Sequence, residues 1–192
     1  NLHQALIEIE RMSSALELPH QCRADASVLY RRAMDADLIK GRSIEGVAAA
    51  TLYISCRNAG LPRSLTEVAA VARVDRNRIG RCYRYLAAEL DIDLAPLDPR
   101  QFVVRFCAEL GCSPAVVRLA HHLLDRAADT GLFSGRSPTG VGGGAIYTAA
   151  VEYDEPVTQQ DVARVADVTV VTIRNRFHEL SALVDDPSTP EN

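Results

Sequence analysis

Residues 41–54, GRSIEGVAAATLYI, recur as residues 135–148, GRSPTGVGGGAIYT. Sliding the chain by 94 residues superposes the two stretches, and the correspondence continues without a gap to Leu86 over Leu180. Along it Gly46, Val47, Tyr53, Pro62, Val68, Ala69, Val74 and Ile79 meet Gly140, Val141, Tyr147, Pro156, Val162, Ala163, Val168 and Ile173. A match of this length at one fixed offset means one supersecondary unit built twice. The joint falls near Leu94-Ala95-Pro96-Leu97-Asp98-Pro99, where two prolines break any continuous helix. The expected domains are residues 1–97 and 98–184, with 185–192 as a disordered tail.

Working outward, each unit reads as about five helices. Leu2, Leu6, Ile9, Met12 and Leu16 recur at helical spacing, Pro19 interrupts, and Val28, Leu29 and Met34 lie on a second helix. Ser43 begins a third, apolar helix. Ser64-Leu65-Thr66-Glu67 is a capping box, in which a hydroxyl and a carboxylate satisfy free amides at a helix start. In the second unit Asp98-Pro99, Ser113-Pro114 and Ser137-Pro138 each place a capping side chain before a proline at the first helical position. Thr158-Gln159-Gln160-Asp161 occupies the slot of the first unit's capping box. The fold expected is all-α, two tandem five-helix domains.

Composition agrees. Apolar residues make up 47% while aromatics are 5% and Trp is absent, which suits helices packed through small and aliphatic side chains. The five cysteines are scattered, with no C-x-x-C pair, so neither a disulfide framework nor a zinc site is legible, and a reducing cytoplasm fits. No apolar run approaches the roughly 18 residues needed to span a bilayer. The net charge of -4 is uneven: residues 1–97 hold 13 Arg/Lys against 12 Asp/Glu, and residues 98–192 hold 8 against 13. A nucleic-acid site must therefore be a local patch. One lysine, Lys40, among 21 basic residues points to a GC-rich genome or a salt-adapted host.

The last two helices of each unit have helix-turn-helix spacing. In the second they span about 159–166 and 170–183 around Asp167-Val168-Thr169. On the final helix Ile173, Phe177, Leu180 and Val184 form one stripe expected to be buried, leaving Val171, Arg174 and His178 on another face. An arginine there can donate two hydrogen bonds to guanine, and a valine can pack against a thymine methyl. A solvated surface arginine is the plainer alternative. The first unit keeps the stripe in Ile79, Tyr83, Leu86 and Leu90, but its helix opens Asp75-Arg76-Asn77-Arg78 and continues through Arg81 and Arg84. That basic patch fits phosphate or an acidic protein partner at least as well as base edges, and a solvated face is the plainer alternative.

Two further features stay open. Gly142-Gly143-Gly144 stands where the first unit has Ala48-Ala49-Ala50, and each interior glycine costs a helix about 0.5–1 kcal/mol. Either that helix packs unusually close to a neighbour, or the second unit is the less stable. His121-His122 with Asp125 could put a histidine and a carboxylate on one helix face, but with no third ligand in view ordinary helix surface is the expectation. Cys107 and Cys112 read as core residues.

Gly135-Arg136-Ser137-Pro138 leading into Ala145-Ile146-Tyr147, the run Val168 to Phe177, and Ile79-Gly80-Arg81-Cys82-Tyr83 together resemble the core of archaeal transcription factor B, a TFIIB-like family. The similarity covers about residues 1–184. It implies two cyclin-like domains that clamp the TATA-box-binding protein on promoter DNA, read the upstream recognition element and help recruit RNA polymerase, without catalysis. Carried over by residue, Val171 and Arg174 read that element, with Thr172 and Asn175 nearby. Arg42 and Arg136 contact phosphates, Lys40 assisting, and Arg76, Asn77 and Arg78 meet the TATA-binding protein. The zinc ribbon that precedes the core in the full-length family is not within these 192 residues, so no cofactor is expected and the chain reads as truncated. A monomer on chromosomal DNA is expected. Two rivals are a cyclin-type regulatory partner of an enzyme, which shares the five-helix unit, and a stand-alone helix-turn-helix repressor.

Overall fold

The computed structural model describes residues 1–184, so the expected tail at 185–192 lies outside the described residues. The chain divides into two compact units, the first Asn1–Pro96 and the second beginning at Leu97. The first holds α1 (Leu2–Ala15), α2 (His20–Asp35), α3 (Ile44–Asn58), α4 (Leu65–Val71) and α5 (Arg76–Glu89). The second holds a 3-10 turn (Pro99–Phe102) running into α6 (Val103–Leu110), then α7 (Pro114–Asp129), α8 (Pro138–Glu152), α9 (Gln159–Ala166) and α10 (Val170–Val184). Among the described residues there is no strand. Both units are five-helix, cyclin-like domains.

Each is built around one helix that is apolar on every side. Gly46 to Cys56 of α3 are all buried, and α1, α2 and α5 pack around them. In the second unit α8 takes this place among α7, α9 and α10. A helix without a polar face has to be covered all round. Its start is set locally: Ser43 Oγ accepts from Gly46 N at 3.1 Å and Ser137 Oγ from Gly140 N at 3.3 Å, caps worth about 1 kcal/mol each. Both expected capping boxes form, at Ser64/Glu67 and Thr158/Asp161.

The triple glycine is explained by close packing. A methyl added at Gly143 would lie 3.0 Å from Ile173 Cδ1 and 3.1 Å from Val162 Cγ1, and one at Gly142 would lie 3.0 Å from the Pro99 carbonyl. At Gly144 it would overlap the Cβ of Arg176 outright.

Three sequence expectations need adjustment. Phe177 is only half-buried, its ring edge-on to Tyr147 with centroids 5.1 Å apart. At the end of α10, Leu183 packs against the core in place of Val184, because α7 lies along that flank. Cys112 is half-exposed while Cys107 is buried. The sequence also hid a proximity: the free thiols Cys22 and Cys56 lie 3.4 Å apart, sulfur to sulfur, in the first core.

Glu8 is a buried charge on α1. It pairs with Arg11 Nη2 at 2.8 Å and Arg73 Nη1 at 3.2 Å, tying α1 to the turn before α5. The hydrogen bond from Arg11 holds its carboxyl below the ordinary value, against the opposing effect of burial. A depressed folded pKa stabilises above the unfolded pKa and loses that stability as pH falls through the folded one. Both arginines are partly exposed, so Glu8→Gln should cost only about 1–2 kcal/mol near pH 7. Chemical denaturation from pH 7 to pH 3 should show the wild-type advantage shrinking below about pH 4. A constant difference across that range would refute the assignment.

Candidate nucleic-acid interface

The helix-turn-helix of the second unit is α9, a turn, and α10. Asp167 ends α9 in the left-handed conformation with φ 52°, which turns the chain sharply enough for α10 to start at Val170. Thr169 Oγ1 accepts from Thr172 N at 3.1 Å and caps α10. Val162, Ala163 and Ile173 form a small cluster under the turn, with Tyr147, Val157, Val168 and Val170 around it. The first turn of α10 is therefore seated on both α8 and α9.

At 100° per residue, Val171, Arg174, Asn175 and His178 share one face of α10, and all four are exposed. Val171 is 58% exposed, and among the described residues Arg174 makes no ion pair or hydrogen bond. Thr172 is different. Its methyl points at Gly140 of α8 and its hydroxyl lies 3.0 Å from that of Thr169, so it serves the turn. Of the four candidates on α10, Val171, Arg174 and Asn175 are thus the exposed ones.

In the first unit the structure splits the Arg76-Asn77-Arg78 trio. Arg76 leans toward α4, its Nε donating to Thr66 Oγ1 at 3.2 Å, and Asn77 is exposed. Arg78 lies on the opposite side of α5, with Arg81 and Tyr85, in a cleft of about 480 Å³ shared with Gly41, Arg42 and Ser43. The guanidinium of Arg42 sits 3.5 Å above the centre of the Tyr85 ring, and its Nη1 donates to the carbonyls of Leu38 (3.3 Å) and Lys40 (3.2 Å). Lys40 is exposed and paired with Asp37 at 3.0 Å. Asp75 caps α5 by accepting from Arg78 N, which holds its carboxyl below the ordinary value.

Arg136 stands 94 residues after Arg42, at the same start of the central helix. Its Nη2 donates to Glu179 Oε1 at 2.9 Å, while Glu179 Oε2 lies 3.2 Å from Arg176 Nε. Neither Glu179 nor Arg176 was singled out from sequence. The 94-residue register could have found them, since it sets Glu179 over Tyr85 and Arg176 over Cys82.

Asp125, the carboxylate beside His121 and His122, is taken by Arg100 Nη1 at 2.7 Å. Among the described residues no group of three His, Cys, Asp or Glu is placed to hold a metal ion, and no helix is long and apolar enough to cross a membrane.

A sequence profile described as "Transcription factor TFIIB repeat" matches twice, over residues 1–89 and 92–182. The chain belongs to the TFIIB repeat family. Curated relatives agree: Transcription initiation factor IIB 4 of Halobacterium salinarum is 55% identical over 180 residues, 94% of this chain and 55% of the relative. Transcription initiation factor IIB 2 of Haloferax volcanii is 52% identical over 185 residues, 96% of this chain and 56% of the relative. Transcription initiation factor IIB of Archaeoglobus fulgidus is 51% identical over 181 residues, 94% of this chain and 56% of the relative. The chain spans about half the length of these relatives. The two TFIIB repeats correspond to the two helical units, and the exposed face of α10 belongs to the second.

Proposed function

We propose that this chain acts as the core of a general transcription initiation factor: it binds the TATA-box-binding protein on promoter DNA, reads the upstream recognition element and helps recruit RNA polymerase. The observation that carries the reading is the face of α10. Val171, Arg174 and Asn175 stand exposed on a helix whose opposite side is locked into the domain, and among the described residues Arg174 makes no ion pair or hydrogen bond. In the major groove such a face can pair Arg174 with guanine and Val171 with a thymine methyl. Arg42 and Arg136, with Lys40, take phosphates beside the TATA box and orient the chain without specifying sequence. Arg76 and Asn77 face the TATA-binding protein, while Arg78, on the other side of α5, borders the Arg42 cleft. The chain works as a monomer on the chromosome, in the archaeal cytoplasm, and acts by differential binding without catalysis or cofactor.

A gel-shift titration on a TATA duplex, with and without the TATA-binding protein, tests this. A ternary complex is expected that needs the partner, with no shift by the chain alone at the same concentration. Equally tight binding without the partner would favour a stand-alone repressor. Binding to neither DNA nor partner would favour a cyclin-type regulatory subunit.

A further inference from the structure

We propose that the two repeats hold DNA phosphate unequally: the slot at the start of the central helix is an open phosphate anchor in the first repeat and a carboxylate-closed one in the second, with Glu179 as the residue that closes it. This rests on the DNA-binding reading above. The two slots are the same piece of architecture, since Arg42 and Arg136 each follow a glycine with positive φ and precede the capping serine. What differs is the residue facing each arginine 43 positions later on the last helix.

Facing Arg42 is Tyr85. An aromatic face orients a guanidinium and leaves its charge uncancelled. Arg78 and Arg81 border the same cleft, and among the described residues none of the three is paired with a carboxylate. The acids nearest in sequence are engaged elsewhere, Asp75 at the α5 amides and Glu45 by Gln4 Nε2 at 3.0 Å. A phosphate entering there meets three cations and displaces no protein anion.

Facing Arg136 is Glu179. Its carboxylate bridges Arg136 and Arg176, and the side chains of all three are two-thirds or more buried. At this burial the attraction is less screened than on open surface. A phosphate reaching Arg136 has to displace that carboxylate and then sit near it, so the net gain is small. Glu179 is thus a positioning residue: it holds Arg136 and steadies Arg176 where α10 passes Gly144. It also shifts the second repeat's contribution from charge toward base reading.

The test reads the dependence of ternary-complex affinity on salt, where each phosphate contact contributes about 0.9 to the log–log slope, or roughly 3.5-fold in affinity over a fourfold salt range. Arg42→Gln should flatten the slope by about one contact, and Arg136→Gln should leave it near wild type. Glu179→Gln should steepen it by about one contact and tighten binding to duplexes with a scrambled upstream element. Glu179→Gln combined with Arg136→Gln should return to the wild-type slope, a reversal that a purely structural role for Glu179 would not produce. Tyr85→Glu, which places the second repeat's carboxylate in the first repeat's slot, should mimic Arg42→Gln and is independent of how well Glu179→Gln folds. An unchanged slope for both Glu179→Gln and Tyr85→Glu, or equal flattening by Arg42→Gln and Arg136→Gln, overturns the inference alone. A wild-type chain that forms no complex at any salt overturns the DNA-binding reading and this inference with it.

Discussion

Gly144→Ala should destabilise the second repeat by about 3 kcal/mol, the upper end of the usual cost of overpacking a core. The added methyl would overlap the Cβ of Arg176, an atom fixed by the backbone of α10, so no side-chain rotation relieves it. The neighbouring glycines leave little room for α10 to slide, because Gly143 is already covered by Ile173, Val162 and Ala166. The helix has to move away from α8, carrying Arg174 with it. For a domain of this size the thermal midpoint should fall by roughly 10–20 °C. Calorimetry should show the second repeat melting early while the transition of the first stays in place. By helix propensity alone the same change would stabilise by about 1 kcal/mol, so the sign decides the matter. A midpoint that rises or stays put would mean that α10 does not press on α8 as described. Ala50→Gly in the first repeat is the reciprocal control, expected to cost about 1–2 kcal/mol through helix propensity and the loss of a buried methyl.

Arg174→Ala should remove about 1–3 kcal/mol of preference for an intact upstream element, between roughly 5- and 150-fold in relative affinity. The comparison is between two TATA duplexes, one with the element and one with it scrambled, each bound together with the TATA-binding protein. The variant should lose affinity for the first and leave the second nearly unchanged. Equal loss on both would make Arg174 a phosphate contact and move sequence reading elsewhere. Because Arg174 is exposed and unpaired among the described residues, its removal leaves no buried group stranded, and stability should change by less than about 0.5 kcal/mol.

Much of this was legible in the chain itself. The 94-residue repeat, the serine and threonine caps, and the prolines at first helical positions state a helix count and most of the boundaries. Those signals are local, acting through amides within one turn, and they need no knowledge of the rest of the molecule. The same holds for the α10 stripe, where Ile173 and Leu180 are fully buried, and for the exposed Val171 and Arg174 opposite them.

Helical periodicity says which face a residue is on and is silent about what meets that face. The family resemblance grouped Arg76, Asn77 and Arg78 as neighbours, although a 200° turn of helix sends Arg78 into the Arg42 cleft and Arg76 toward Thr66. The resemblance also placed Thr172 beside Val171 and Arg174 as a candidate, although the approach of α8 turns that side chain inward.

The sequence alone determined a duplicated all-helical chain with a helix-turn-helix at the end of its second repeat, because repeat, cap and stripe are written in contiguous residues. Only the tertiary structure decided that Gly144 admits Arg176, that Arg42 rests on Tyr85, and that Arg136 is held by Glu179. Each of those pairs joins residues more than 30 positions apart, and which one wins depends on the distance between two packed helices. That distance is set by side-chain volume across the interface, a quantity no single segment carries.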